Sequence, residues 1–244
     1  MTKKTLLIVG DDYGDFAEHA GVRSVSRLWR ELTLSSEIDL DCVYFGLGIC
    51  ETERNRLSEA LAARGVRCIE GLVPLVKTEL THKRDRTHVL IAGGRKLRNR
   101  TYAYELFLDE AQDRLCDHVT GQHVSAMLLV ETGRQAVIAS LVQQYPSRPD
   151  HEMGMVLERL TVDFSSYAFP IPTSLSVVIA ENVEPTPKQI DVSLFIAFCQ
   201  AGQSICDMRF DVKLREERAL RKIEDRKASR IVDALLTETY AALA

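Results

Sequence analysis

The 244-residue chain lacks the sequence features that identify several large classes of protein. Its six cysteines are scattered without a CxxC pair, so their spacing gives no support to a metal site. The pattern is typical of reduced, mostly buried thiols in a cytosol. Neither GxGxxG nor GxxxxGKS/T occurs, which leaves nucleotide binding without a motif, and we expect no cofactor. The first apolar run spans only residues 5–9, too few for a secretory signal.

The chain also lacks a basic charge excess and a long uninterrupted apolar run. Its formal net charge is -4, which argues against a nucleic-acid partner because binding the phosphate backbone calls for a basic surface. The longest apolar stretch, residues 124–142, contains Glu131 and Arg134, which argues against a membrane span. We therefore expect a cytoplasmic protein that binds neither nucleic acid nor membrane.

The first 75 residues alternate between strand and helix patterns. Apolar runs predict strands and helical spacing predicts helices, in the order strand 5–9, helix 22–32, strand 40–45, helix 52–64 and strand 67–69. This order favours a small parallel sheet with crossover helices. Asp11 and Asp12 follow the first strand, where open α/β sheets bind ligands. They could hold Mg²⁺, or they could be helix caps and solvated loop residues.

From residue 87 the pattern changes to strands, one long helix and more strands. The predicted elements are strands 88–92 and 101–108 joined through Gly93-Gly94, helix 124–144, and strands 160–164, 175–180, 190–198 and 208–214, the last two joined by a hairpin at 200–203. This order points to an antiparallel α+β layer. We predict an α/β segment at 1–75, a second domain at 76–214, and a helix at 215–244. That helix either docks on the body or a partner subunit, or is a solvated charged helix.

The helix at 124–142 is apolar nearly all the way round, which is typical of a helix inside a protein. Glu131 and Arg134 lie in its middle, three residues apart and so on neighbouring surface. Charges in such a helix are costly unless they are paired or face a cavity. They are either an ion pair that fixes the packing or part of a functional site, since an acid on a buried helix is a good candidate for pKa tuning.

The approach to this helix is crowded with polar residues. Asp117, His118, Gly121, Gln122 and His123 precede its N-terminus, where free backbone N–H groups and the positive end of the helix dipole suit a thioester carbonyl or a developing oxyanion. Their clustering ahead of Glu131 predicts a site, although a histidine at such a position can equally be a surface or packed residue.

These residues carry a resemblance to a known family. The run DHVTGQHVSAM at 117–127, followed by ETGRQA at 131–136, resembles the signature of the A-factor biosynthesis (AfsA-type) hotdog family. Thr81-His82-Lys83 and the strand at 88–91 resemble the family's opening, and residues 160–172 its post-helix strand. The resemblance covers about residues 77–214 as a single repeat. It implies an α+β hotdog fold, in which an antiparallel sheet wraps a long central helix.

The resemblance also implies an activity. Members of that family are linked to γ-butyrolactone signal synthesis in secondary metabolism, moving a β-ketoacyl group from acyl carrier protein to the hydroxyl of dihydroxyacetone phosphate. Here the catalytic candidates would be Glu131, His118, His123 and Arg134. The substrate-binding candidates would be Asp117, Gly121, Gln122, Met127, Gln135, His82 and Lys83.

The mechanism expected from the sequence gives each helix residue a role. Glu131 acts as general base or positions the acceptor, Arg134 anchors an anionic group or only orients Glu131, and Met127 and Val130 line an acyl tunnel. Replacing Glu131 by Gln should then abolish turnover and preserve folding. A β-hydroxyacyl dehydratase, an acyl thioesterase acting on carrier-protein or CoA thioesters, and a non-catalytic acyl or lactone binder remain alternatives. One repeat per chain predicts a homodimer with the pocket between subunits.

Overall fold

The computed structural model describes residues 4–35, 38–69, 73–109, 120–146, 152–181, 186 and 189–243. The front part is a four-stranded parallel sheet in the order β2-β1-β3-β4. Its strands are β1 (Thr5–Val9), β2 (Val22–Ser24), β3 (Cys42–Phe45) and β4 (Arg67–Ile69), and its helices are α1 (Val25–Leu34) and α2 (Glu51–Ala62). The predicted parallel sheet is present.

The helix predicted from residue 22 begins three residues later. Val22–Ser24 forms strand β2 beside β1, and the Ser24 hydroxyl accepts a hydrogen bond from the Arg27 amide at 3.4 Å. A serine in extended conformation that accepts such a bond starts a helix after itself. Val22, whose spacing matched the helix pattern, is therefore a residue of the sheet and not of the helix.

The larger part is a six-stranded antiparallel sheet in the order β5-β6-β8-β9-β10-β7. Its strands are β5 (Ile91–Arg98), β6 (Thr101–Leu106), β7 (Met153–Phe164), β8 (Thr173–Glu181), β9 (Gln189–Gln200) and β10 (Gln203–Glu216). Helix α4 (Ala126–Gln144) packs against it, and the short α3 (Thr78–Thr81) precedes β5. A Cβ on Gly133 of α4 would lie 2.6 Å from Met208 Sδ, so the helix approaches the sheet closely. This is the predicted α+β hotdog fold.

Two strands differ from their predictions. Gly93 and Gly94 do not form a loop: both lie inside β5 with positive φ, and the pairing with β6 shifts register there. Glycine tolerates this bulged backbone, so the pair bends the strand and does not end it. Strand β7 begins at Met153, seven residues before the alternating pattern that predicted it at residue 160.

The two parts share a core. One buried cluster lies within the front sheet and its helices, around Leu28, Val43 and Leu57. The other fills the hotdog and includes Val9 and Tyr13 of the front segment. The predicted boundary near residue 75 also carries hydrogen bonds, since Val76 N donates to Ile91 O at 3.0 Å. The division at 75/76 stays a prediction.

Helix α5 (Glu217–Leu243) ends the chain, and Glu217 forms an ion pair with Arg221 one turn later. Its first turns touch β7: Glu217 N donates to Glu152 O, and Leu220 lies over Gly154. The side chains described beyond this point are exposed, apolar ones included, among them Ile223, Ile231, Val232 and Leu236. Among the helices that the structure describes, none combines the length and apolar character that crossing a membrane requires.

Candidate active site

Helix α4 leaves one stripe of its surface uncovered by its own chain. Met127 is 62% exposed, and Val130, Glu131 and Arg134 are partly exposed, whereas every residue from 135 to 141 is buried. Positions 127, 130, 131 and 134 follow the three-and-four spacing of a single helix face. Among the residues that the structure describes, Glu131 and Arg134 therefore lie on the only exposed face of the helix segment from 127 to 141.

Glu131 is the centre of a charged cluster on this face. The Arg134 guanidinium donates to both of its carboxylate oxygens, at 2.7 and 2.8 Å. Lys83, which follows α3, places its ammonium 2.7 Å from Oε1, and Gln135 Nε2 donates to the same oxygen at 3.1 Å. The side chains of Glu131 and Lys83 are only 26% and 19% exposed, so the contacts are partly shielded from water. Two cations meet one carboxylate, which gives the cluster a net charge of +1.

Gln135 connects this cluster to the start of β5. It is fully buried, its Oε1 accepts from Leu90 N at 2.9 Å, and its Nε2 donates to His88 O at 2.9 Å. These bonds satisfy backbone groups that do not belong to a sheet ladder. The amide side chain thus fixes where the helix carboxylate lies relative to the sheet.

The cluster keeps Glu131 ionised. Burial alone raises the pKa of its carboxyl, but hydrogen bonds from Arg134, Lys83 and Gln135 and the charge of Arg134 outweigh burial and bring the pKa to about 2. The hydrogen bonds to Glu131 and its negative charge raise the pKa of the Arg134 guanidinium. A carboxylate with so low a pKa is a weak proton acceptor near neutral pH, because a general base works best with a pKa near the operating pH.

The approach loop positions His123 beside the helix N-terminus. Thr120 Oγ1 accepts from the Gln122 and His123 amides at 3.3 and 3.1 Å, and donates to His123 O at 3.2 Å. The same hydroxyl lies 3.1 Å from His123 Nδ1. A hydroxyl has one proton and two lone pairs, so the donor of that contact depends on the tautomer of His123.

A groove opens at this helix end, on the side of β7. Its volume is about 350 Å³, within the range of small-molecule sites. It is lined by His123, Val124, Ala126, Leu129, Phe164, Ser165, Ser166, Tyr167 and Ala168. The His123 ring lies 4.9 Å from the Tyr167 ring, and Val124 N donates to Ala168 O at 2.7 Å across the groove floor. The predicted tunnel residues Met127 and Val130 are not among its lining residues.

Residues 67–214 match the model of the A-factor biosynthesis hotdog domain (AfsA). The chain belongs to this family. The match contains α3, α4 and the six-stranded sheet apart from the last two residues of β10, and it begins at β4, ten residues before the resemblance seen in the sequence.

Similar solved structures have low identity to this AfsA-family chain. A hypothetical thioesterase from Streptococcus pneumoniae with coenzyme A is 10% identical over 50% of this chain and 84% of its own, with a TM-score of 0.36. A mutant thioesterase from Staphylococcus aureus is 9% identical over 50% and 92%, with a TM-score of 0.38. An HP0420 homologue from Helicobacter felis is 14% identical over 58% and 89%, with a TM-score of 0.41. No curated protein matched the sequence.

The structure brings together some of the predicted site residues and separates others. Glu131, Arg134, Gln135 and Lys83 form the charged cluster, whereas His123 lies in the groove. His82 is exposed in a left-handed conformation at the end of α3, and Met127 is exposed. Gly121 and Gln122 lie in the approach loop, but neither lines the groove. Asp117 and His118 lie outside the described residues.

Two residues of the candidate site were missed from the sequence. Thr120 orients the His123 ring, and Tyr167 covers it from the loop after β7. Threonine three residues before a histidine is a local signal that could have been used; Tyr167 is distant in sequence and offered none. In the front segment, Asp11 accepts from Ser26 N at 3.0 Å and Ser26 Oγ at 2.5 Å at the start of α1, which fits the helix-cap alternative.

Proposed function

We propose that this protein is a cytoplasmic acyltransferase that moves a β-ketoacyl group from an acyl carrier protein or CoA thioester to a small hydroxyl acceptor. The observation that carries the proposal is the excess positive charge around an ionised Glu131 on the open face of α4. Lys83 has three N–H donors and Arg134 five, so donors remain after Glu131 has been satisfied. A phosphorylated acceptor such as dihydroxyacetone phosphate suits this cluster.

The low pKa of Glu131 favours transfer over two other reactions. A dehydratase needs an acid that can give up a proton, and a thioesterase needs a base or nucleophile that is not already neutralised. Glu131 is ionised and engaged by three partners. We assign it the role of holding Lys83 and Arg134 in place for the acceptor. This is a positioning role and not that of a general base.

His123 supplies the proton-accepting group in this proposal. Its Nε2 takes the proton of the acceptor hydroxyl while the hydroxyl oxygen attacks the thioester carbonyl. The uncapped amides at the start of α4 stabilise the negative oxygen that develops. The carbon–sulfur bond then breaks, the ester forms, and the thiol leaves with the proton from His123. Glu131 lies five residues into α4, about 7 Å along its axis from the helix start, which is a short span that a three-carbon acceptor can bridge.

The groove beside His123 accommodates the acyl group. Its apolar lining includes Val124, Leu129 and Phe164, and it opens to the surface where a carrier arm can enter. An acyl chain lying there would place its thioester at the helix N-terminus. This arrangement supports acyl-thioester chemistry in γ-butyrolactone-type secondary metabolism, the role that the family resemblance implies.

A homodimer would complete this site. Strand β7 is the edge of the sheet, and its helix-facing side is apolar but partly exposed: Leu157 is 49% and Phe164 50% exposed. The side chains on that side are Met153, Met155, Leu157, Leu160, Val162 and Phe164, as their pairing with β10 shows. If two copies of β7 pair antiparallel about a two-fold axis with Met153 opposite the partner's Phe164, these six side chains lie opposite one another. Light scattering at micromolar concentration should give a dimer; a monomer contradicts this part of the proposal.

The activity is tested with defined thioesters. The protein is incubated with β-ketoacyl and β-hydroxyacyl carrier-protein thioesters, with and without dihydroxyacetone phosphate, and products are identified by mass spectrometry. We expect an acyl ester of the acceptor that forms only when both substrates are present. Free acid would instead indicate a thioesterase, an enoyl product a dehydratase, and tight lactone binding without turnover a sensor; each of these outcomes contradicts the transferase.

A further inference from the structure

The carboxyl edge of the front sheet, where open α/β sheets usually bind ligands, is covered by the hotdog. Leu47 N donates to Pro170 O at 3.0 Å, and Gly48 N donates to Leu108 O at 3.0 Å. A Cβ on Gly46 would lie 2.2 Å from Pro170 O, so any larger residue would force the two parts to separate. This edge is therefore a packing surface and not an open ligand site.

The turn after β1 makes a second contact, with the approach loop. Phe16 N donates to Gly121 O at 2.9 Å. Gly121 has a φ of +71°, and a Cβ there would lie 2.9 Å from Asp15 Oδ2. The Phe16 ring stacks on Phe169 with centroids 5.6 Å apart and an interplanar angle of 22°.

These contacts reach both sides of the groove. Gly121 is two residues before His123, and Phe169 follows Ala168, where the lining loop at 165–168 ends. The two loops also bond to each other through Val124 N and Ala168 O. Phe16 thus binds one loop through its backbone and the other through its ring.

We propose that the front segment is a built-in support for the groove, and that Phe16 is a positioning residue that sets His123 against the 165–169 loop. The front segment then acts on the site through packing and needs no ligand of its own. That the supported groove takes an acyl thioester rests on the proposed function; the support itself does not.

The first test measures loop opening without a ligand. Phe16→Ala is compared with Trp29→Ala, which also truncates a half-buried aromatic of the front segment but one that packs on the other core, away from the groove. Amide hydrogen exchange of Gln122 to Val124 should quicken about tenfold in Phe16→Ala and stay unchanged in Trp29→Ala. No change in Phe16→Ala, or an equal change in both variants, overturns the proposal.

The second test measures binding of octanoyl-coenzyme A by calorimetry. We expect the Kd to rise about tenfold in Phe16→Ala, to stay near wild type in Trp29→Ala, and to be restored in Phe16→Tyr, which keeps the ring. An unchanged Kd in Phe16→Ala overturns the positioning role. If exchange quickens as expected but the wild-type protein does not bind the thioester, the support role stands and the proposed acyl-thioester function fails.

Discussion

Replacing Glu131 by Gln should lower stability in a way that depends on pH. The partners of Glu131 bring its pKa from an ordinary 4.5 to about 2. At about 1.4 kcal/mol per pH unit, this difference corresponds to ~3 kcal/mol of favourable interaction in the ionised state. The Glu131 side chain is 26% exposed and Arg134 37%, so screening by water reduces the effect, and we expect a loss of about 2 kcal/mol at pH 7.

The sign of the pH dependence follows from the lowered pKa. A carboxylate whose pKa falls on folding contributes stability that is fully present above its ordinary pKa and is lost as the pH drops from 4.5 toward 2. The difference in free energy of unfolding between wild type and Glu131→Gln should therefore be constant from pH 7 to pH 5. By pH 3.5 it should shrink by about 1 kcal/mol.

Urea unfolding followed by circular dichroism at pH 7, 5 and 3.5 measures this difference. The matched control is Glu79→Gln, the same change at an exposed position of α3, which should leave stability within about 0.5 kcal/mol of wild type. The variant should still unfold cooperatively. If Glu131→Gln is as stable as wild type at pH 7, or if the difference in free energy of unfolding does not depend on pH, the charged cluster as described is refuted.

Three further predictions concern the partners of Glu131 and the groove. Lys83→Met should raise the KM for a phosphorylated acceptor about tenfold with little change for the thioester, and the exposed Lys77→Met should change neither, as steady-state kinetics will show. His123→Asn should lower kcat by about 10²-fold or more and leave octanoyl-coenzyme A binding within twofold, measured by single-turnover assays and calorimetry. Gln135→Leu should cost about 2 kcal/mol in urea unfolding, because the buried Leu90 amide loses its acceptor; a fully stable variant would contradict the link to β5.

Much of the hotdog could be predicted because its patterns are local. The alternation of Ile190 to Phe198 and of Met208 to Leu214 sets one face of each strand against the helix, and the observed register pairs these strands directly. The apolar character of α4 nearly all the way round predicts burial, and the three-residue spacing predicts the Glu131–Arg134 pair, which helix geometry alone brings together. The motif around these residues was specific enough to indicate the family.

Other features depend on packing between distant segments, which no local pattern encodes. Lys83 reaches Glu131 only because α3 packs beside α4, and Gln135 bonds to Leu90, 45 residues away, only because β5 begins there. The groove forms where the approach loop meets the loop after β7. The sequence by itself determined which helix is buried and which charges it carries. Tertiary packing alone decided that Lys83 joins this pair and gives the cluster an excess positive charge, and that the front segment packs against both loops of the groove.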